Sequence, residues 1–418
     1  MTPFPVIHQT ASLSPSQRLS DPRKFRFLYR RSTRLMAMSL VAFACAAGYV
    51  SLTAAWQSWG DRWTGFEDLL LPRAVDVVIA CWLFYIGSSI GSFLNVVAWR
   101  MPRGAGINGR SHCPWCDSTL LWKDNWPVFG WIVLGGRCRT CRMPISPRYP
   151  IVELAVGLCI FFVAWTELCN NGSNLPFHPE RMGRVGSLWT PLITRESVIV
   201  ATYHAIAIAV SWAFGLVRVD DHRLPRRLVM VSFAMLIVPM LVLPALAIIP
   251  WQVEMDSAWR PEGRYLDAAM RVITGLAAAV VVGRSLARYV SPTADPKMNP
   301  LGTGTARMLD LIAILCVPGI IVGWQALLGV SVLAVLIAYA LPIVMPTRVD
   351  SLARLAISLP IALSLQLFFW RSLHEFAYWP SVGTAPMVTL AWAAILLLIP
   401  WGMTQKPPKP NDTSGEGV

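Results

Sequence analysis

Apolar stretches long enough to cross a bilayer recur along most of this chain and leave few choices for its fold. The hydrocarbon core of a bilayer takes about 20 residues of α-helix. We predict ten spans, at about 35–56, 74–99, 151–165, 197–217, 228–249, 266–287, 311–322, 324–345, 355–370 and 386–403. The composition agrees, because 55% of the residues are apolar and 14% are charged. The predicted fold class is an all-α, polytopic transmembrane helix bundle.

Basic residues lie mainly in the short segments between the apolar stretches, and this distribution predicts the topology. The segment from Arg100 to Arg148 holds eight Arg and Lys residues against two Asp, and segments of this kind stay on the cytoplasmic side of a membrane. Both termini are then cytosolic as well. The net charge of +13 does not indicate nucleic-acid binding, because the excess sits where it sets topology and faces anionic lipid. The predicted partner of this surface is the lipid bilayer, with no nucleic acid.

Four cysteines in this basic segment form two Cys-x-x-Cys pairs, Cys113 with Cys116 and Cys138 with Cys141. Zinc needs four deprotonated ligands in a tetrahedron, and two such turns each present a pair of thiolates. Two disulfides or four unrelated thiols are the alternatives, but structural disulfides are rare in the reducing cytosol. The spacing therefore predicts a structural Zn²⁺ hairpin inserted between the second and third spans.

The sequence around these cysteines resembles a known family. The residues that carry the resemblance are Gly91-Ser-Phe-Leu-Asn-Val-Val, Arg100-Met-Pro, Ser111 with Cys113-Pro-x-Cys116, Asn125-x-Pro127, Gly136-Arg-Cys138-Arg-x-Cys141 and Pro144-Ile-Ser-x-Arg148-Tyr-Pro-x-Val-Glu153. They resemble the type 4 prepilin peptidases over about sixty residues. Weaker matches continue to about residue 345, so residues 1–70 and 350–418 lie outside the usual extent of that family.

The resemblance implies a function. The family consists of bacterial inner-membrane enzymes that cut the leader from type IV pilin and type II secretion pseudopilin precursors and then methylate the new N-terminus. It implies pilin-like precursor helices as partners and S-adenosylmethionine as methyl donor, which no motif here locates. Asn95, Arg100 and Glu153 match the methyl-transfer half of the family. Asn95 could equally make an interhelical hydrogen bond, and Glu153 could pair with Arg100 or Arg148.

In the peptidase half, the resemblance implies two aspartates, one seven residues before a proline and one in Gly-x-Gly-Asp. Counting back seven from Pro225 gives Arg218, and Thr305 takes the second place after Gly302-Thr-Gly304. Proton transfer by two carboxylates requires one ionised and one protonated group. Neither the arginine cation nor the threonine hydroxyl can take either part. The sequence thus predicts a peptidase site that lacks its two usual acids.

Three other acids remain as catalytic candidates, namely Asp220, Asp221 and Asp310. A carboxylate at the edge of a membrane is costly and suggests a function. The alternative is structural: Asp220 and Asp221 cap the next helix or pair with Arg223 and Arg226, and Asp310 pairs with Arg307. Asp310 lies five positions beyond Thr305, and we expect it to face another direction.

Two functions of different classes follow. In the first, the chain still processes pilin-like precursors, with Asp220 or Asp221 acting beside Asp310. In the second, it is a methyltransferase alone or a catalytically inactive relative that binds and helps assemble pilin-like helices. A transporter or channel finds little support, because the cysteine hairpin matches so specifically.

The predicted organisation begins with a basic, disordered cytosolic arm at 1–34 and an extra span with its outer loop at 35–73. A methyltransferase-like region at 74–165 contains the zinc hairpin at 100–150. A peptidase-like membrane domain at 190–346 follows, and two extra spans at 347–404 precede a disordered tail at 405–418.

Overall fold

The chain folds almost entirely into helices, as a computed structural model shows for residues 22–60, 63–176, 184–185, 190–251, 265–290, 303–343 and 349–399. The α-helices are α1 (Pro22–Gly60), α2 (Phe66–Arg100), α3 (Phe129–Leu134), α4 (Arg148–Leu168), α5 (Arg195–Val219), α6 (Arg226–Val242), α7 (Tyr265–Val290), α8 (Thr303–Ala340), α9 (Ser351–Phe368), α10 (Trp370–Glu375) and α11 (Pro386–Leu398). Short 3₁₀ turns lie at Met101–Arg103, Trp122–Asp124, Pro244–Leu246 and Leu341–Ile343. Two short antiparallel strands, β1 (Arg184–Val185) and β2 (Thr190–Pro191), pair with each other.

The predicted all-α polytopic bundle is confirmed. Among the described residues, seven helices are long and apolar enough to cross a membrane. The number is below the predicted ten because α6 has 17 residues and α11 has 13, and because α8 counts once although two spans were predicted there.

Helix α8 is a helical hairpin. Gly323 inside it has a non-helical backbone (φ 85°, ψ 171°), a conformation open to glycine because it has no Cβ. Arg307, near the start of α8, donates to Asp350, the N-cap of α9, at 2.5 Å. The first arm of α8 therefore begins beside the start of α9, and the two arms of α8 correspond to the linked spans predicted at 311–322 and 324–345.

The two ends of the bundle can be told apart by their contacts. We call the end that carries the cysteine segment 101–147 the hairpin end and the opposite one the far end. Helices α2 and α4 flank this segment and approach closely, because a Cβ added at Gly91 would lie 2.9 Å from the Cα of Glu153. Small residues allow such approaches between helices in lipid. The cysteine segment is thus attached to two closely packed helices, α2 and α4.

Helix α9, one of the two spans predicted as C-terminal additions, lies in the interior and packs against α4, α5 and α8. A Cβ on Gly215 of α5 would come within 2.7 Å of the carbonyl oxygen of Ala356 of α9. Most of α9 is buried, so the bundle shares one core with this span.

The arm predicted to be disordered at 1–34 is helical where the structure describes it, since α1 begins at Pro22. Arg and Lys are good helix formers, so a basic segment can extend a membrane helix. Residues 1–21 and the tail 405–418 lie outside the described residues.

Candidate functional site

The two Cys-x-x-Cys turns have the same backbone conformation. In the first, the amide of Cys113 donates to the carbonyl of Ser118, and the amide of Asp117 donates to the carbonyl of Cys113. In the second, Cys138 donates to Met143 and Arg142 donates to Cys138. Asp117 and Arg142, each directly after the second cysteine of its pair, both have positive φ, at 53° and 65°. Two equivalent knuckles therefore present their cysteines to a shared space.

The four sulfur atoms of Cys113, Cys116, Cys138 and Cys141 lie within 4.8 Å of one another. The Sγ atoms of Cys113 and Cys141 are 3.8 Å apart, and those of Cys116 and Cys138 are 4.0 Å apart. A zinc ion with four Zn–S bonds of about 2.3 Å places its sulfurs about 3.8 Å apart. Disulfide bonding, with its S–S distance of about 2.05 Å, does not describe this cluster. These four residues could hold a metal ion.

Ser118 prepares one of these thiols for metal binding. Its hydroxyl lies 3.0 Å from the Sγ of Cys116. Hydrogen bonds from the side chain and the backbone of Ser118 lower the pKa of Cys116 to about 6. Metal ligands must be thiolates, so this cysteine is ready to bind near neutral pH.

Polar contacts inside the hairpin hold the knuckles in place. The guanidinium of Arg139, between the cysteines of the second knuckle, makes a two-pronged ion pair with Asp124, one arm measuring 2.6 Å from Nε to Oδ2. The side-chain hydrogen bond with Asp124 raises the pKa of Arg139. Trp131 donates from its indole nitrogen to the carbonyl of Ile145 at 3.0 Å and packs on Gly136. Trp131 therefore helps to hold the interior of the hairpin together.

Glu153 fastens the hairpin to the membrane helices. Its Oε2 accepts a hydrogen bond from the amide of Val128 at 2.7 Å, a residue held at φ 62°. The expected pairing of Glu153 with Arg100 or Arg148 is not found. Arg100 instead donates to backbone carbonyls of the loop at 106–110. The Nδ2 of Asn95 is buried and has no hydrogen-bond partner among the described residues.

Arg148 joins the hairpin half to the next part of the bundle. Its guanidinium forms a two-pronged ion pair with Asp220, with one arm of 3.1 Å between NH2 and Oδ2. Asp220 follows the last residue of α5. The candidate carboxylate is thus held by an arginine from the base of the hairpin, and not by Arg223 or Arg226.

Arg218 and Asp310 form a buried ion pair at the same end of the bundle. The distance from NH1 of Arg218 to Oδ2 of Asp310 is 3.3 Å, and the two side chains are 2% and 8% exposed. The same NH1 donates to the carbonyl of His222 at 2.8 Å, and the amide of Leu224 donates to Asp310 at 3.4 Å. Asp310 therefore faces α5, while Arg307, its predicted partner, binds Asp350.

The third candidate, Asp221, is exposed over 83% of its side chain and lies 3.5 Å from Arg218. Thr305 lies in the first turns of α8 and is half-buried; Gly302 of the same motif lies outside the described residues. Each candidate carboxylate thus has an arginine as its ion-pair partner, and Asp221 and Asp310 share the same one, Arg218. The role of the three aspartates as general acid or base stays a prediction.

The structure also reveals an ionisable pair that the sequence analysis did not single out. Glu167 and His204 are both buried at the far end, with 2.6 Å between Oε1 and Nδ1. Asn174 adds a hydrogen bond to the same carboxylate oxygen at 3.3 Å. An ionisable residue inside an apolar stretch was the available signal.

Comparisons with known proteins place the hairpin half. Residues 85–167 match the family model of the bacterial peptidase A24 N-terminal domain. The prepilin leader peptidase/N-methyltransferase of Myxococcus xanthus is 47% identical over 92 residues, which cover 22% of this chain and 28% of that protein. The protein of the same name from Klebsiella pneumoniae is 48% identical over 82 residues, or 18% of this chain and 36% of the relative.

A third relative, the type 4 prepilin-like proteins leader peptide-processing enzyme of Escherichia coli, is 41% identical over 102 residues, or 19% of this chain and 38% of that enzyme. The chain thus spans about a third of the length of these curated relatives. No solved structure matches the chain.

Proposed function

Residues 85–167 belong to the prepilin leader peptidase/N-methyltransferase family, and from this premise we propose that the chain acts on pilin-like precursor helices without cutting them. It binds their N-terminal segments and, through its hairpin half, supports N-methylation. The Arg218–Asp310 ion pair carries this proposal, because it places a permanent cation where leader cleavage needs an ionisable acid. Type IV pilins or type II secretion pseudopilins are the substrate class that the relatives' names suggest.

The metal of the hairpin is Zn²⁺ in this proposal. The sulfur spacing and the four-cysteine ligand set fit tetrahedral zinc, and a closed Cys₄ site has no open position for substrate. The ion would therefore stabilise the hairpin without entering the reaction. Cys113, Cys116, Cys138 and Cys141 would bind it.

The proposal assigns no binding site to S-adenosylmethionine, the methyl donor of the family. The groove beside the hairpin is lined mainly by aromatic and aliphatic side chains, and no carboxylate lines it to bind ribose hydroxyls or balance a sulfonium. The proposal therefore does not place S-adenosylmethionine in this groove.

The protein lies in the bacterial inner membrane in this proposal, with the hairpin and both termini in the cytosol. The eight basic residues from Arg100 to Arg148 support this orientation. The division into a methyltransferase-like region at 74–165 and a peptidase-like domain at 190–346 is part of the same proposal.

A mass-spectrometric assay with two substrates tests the function. One substrate is a full-length type IV prepilin, and the other is the same pilin already freed of its leader. We expect the first to stay uncut and the second to gain one methyl group when S-adenosylmethionine is present. If neither is modified but the pilin co-purifies with the chain, then a binding and assembly role replaces methylation; if the leader is cut, the proposal is wrong.

Restoring the acids is the matched experiment. Arg218→Asp with Thr305→Asp returns carboxylates to both positions that the family resemblance implies. Cleavage gained by this double variant, and absent from each single variant, would show that the rest of the peptidase architecture survives.

A further inference from the structure

A groove of about 1020 Å³ lies between one face of α2 and the cysteine hairpin. Its α2 wall extends from Cys81 to Val96, and its hairpin wall consists of residues within 107–111 and 122–129. Fifteen helical steps correspond to ~22 Å along the axis of α2. The groove is therefore elongated and runs from the hairpin along a membrane-spanning helix.

The part of the groove along α2 is mainly apolar. Phe84 and Phe93 line it, together with three serines, Ser88, Ser89 and Ser92. Ser88 donates to the carbonyl of Tyr85 at 3.1 Å, and Ser92 is hydrogen-bonded to Glu153. Because most of this wall is aromatic or aliphatic and two of its three serine hydroxyls already have partners, this part of the groove suits a hydrocarbon chain.

At the hairpin end of the groove, hydrogen bonds fix the position of one loop. The guanidinium of Arg100 donates hydrogen bonds to the loop at 106–110, from NH1 to the carbonyl oxygen of Asn108 at 3.0 Å and from NH2 to that of Arg110 at 3.4 Å. Ile107, Gly109 and Ser111 of this loop line the groove. The hydrogen bonds from Arg100 therefore hold the backbone of Arg110 at the mouth of the groove.

Two exposed cations adjoin the mouth of the groove without being part of its lining. Arg110 lies between two lining residues and Lys123 follows the lining residue Trp122, and both cations are exposed. No carboxylate lines the groove among the described residues, and Asp124, the nearest acid in sequence to Lys123, is paired with Arg139. Trp122, 85% exposed, and Trp126 add the aromatic side chains that favour the headgroup level.

We propose that this groove is a binding site for an anionic phospholipid, with one acyl chain along α2 and the phosphate against Arg110 and Lys123. A mainly apolar slot along a membrane-spanning helix, with two exposed cations next to the lining residues at its mouth, matches such a lipid in both parts. Each basic residue near a membrane surface adds attraction to anionic lipid. The site is independent of the proposed action on pilin-like helices.

Native mass spectrometry of the full chain tests the proposal. The protein is purified in neutral detergent, delipidated, and given phosphatidylglycerol and phosphatidylcholine in equal amounts. We expect one phosphatidylglycerol to be retained with at least tenfold preference. Arg110→Glu with Lys123→Glu should reduce that preference about tenfold, whereas Arg226→Glu with Arg227→Glu, two exposed cations at the start of α6, should leave it unchanged.

A second pair of variants tests the apolar part. Ser89→Phe places a ring in the groove and should abolish retention of either lipid, while Ile86→Phe, on α2 but outside the lining, should not. Bound zinc and the thermal midpoint report that each variant is folded. Three results would each overturn the proposal. The wild type could retain the two lipids equally, or the α6 control could lose the preference as strongly as the Arg110/Lys123 variant. An apolar helical peptide could also displace both lipids equally.

Discussion

The two halves of this bundle treat their chemically important residues in opposite ways. In the hairpin half, four cysteines converge on one point, and Asp124, Glu153 and Ser118 support them. In the half formed by α5 to α8, each candidate acid is paired with an arginine: Asp220 with Arg148, and both Asp221 and Asp310 with Arg218.

The same physical rule separates them. A metal site requires like ligands to meet, and the metal offsets the repulsion among their thiolates. A carboxylate pair requires its members to share one environment without a permanent cation between them. Arg218 places such a cation in the second half, because its guanidinium is buried against Asp310. One half therefore brings its four cysteine side chains together, while the other pairs each candidate acid with an arginine.

Removing one hairpin ligand gives the largest expected effect. Cys138→Ser should lower bound zinc from one equivalent to nearly none, because structural zinc in small domains contributes about 10–16 kcal/mol of apparent binding free energy. Elemental analysis of the purified chain measures the metal. Cys81→Ser, an exposed cysteine on α2, is the control and should keep a full equivalent; a zinc-free but intact hairpin in the wild type would remove the contrast between the halves.

Breaking the buried ion pair comes next. Arg218→Met leaves the Asp310 carboxylate buried without its cation and should lower the free energy of unfolding by about 3–5 kcal/mol. Adding Asp310→Leu should return most of that loss. Thermal unfolding in detergent provides the comparison, with the exposed Asp221→Asn, a residue that tolerates φ 54°, within about 0.5 kcal/mol of wild type. Equal stability of Arg218→Met and the wild type would mean that the pair does not hold this half together.

A substitution of Glu153 tests how the hairpin is attached to helices α2 and α4. Glu153→Gln keeps the shape of the side chain but removes the charge from its bond to Val128, and we expect a loss of about 1–2 kcal/mol. Hydrogen exchange of the Val128 amide should become faster while the exchange of α9 amides stays unchanged. Uniform acceleration in both places would point to global destabilisation instead.

Arg148 connects the two halves and gives the smallest expected effect. Its side chain is 38% exposed, so solvent screens the pair with Asp220, and Arg148→Ala should cost at most about 1 kcal/mol. Limited proteolysis of the loop after α5 should nevertheless become faster. Arg223→Ala, another exposed arginine of that loop, should alter neither measurement.

Much of this architecture could be predicted from the sequence. Spans follow from apolar length, and the cysteine cluster follows from spacing, because both depend on local patterns. Even the chain reversal at Gly323 agrees with two short linked spans. The helix at 22–34 was missed because polar composition alone does not show that a segment continues an adjoining helix.

The pairing of the acids could not be predicted in the same way. The sequence places Arg307 three residues from Asp310, which favours a local pair, but Arg218, 92 residues away, lies closer to that carboxylate in space. The same holds for Arg148 and Asp220, which are 72 residues apart. Partners of buried charges depend on how helices pack, and helix packing was not available from one sequence.

Incubation of the wild-type chain with a type IV prepilin, followed by the intact mass of the pilin, tests the central claim most directly. Because Arg218 occupies the position where an acid is needed, we predict that the leader stays attached under conditions in which the Myxococcus xanthus relative removes it. A pilin mass that lacks the leader after incubation with the wild-type chain alone would contradict the account.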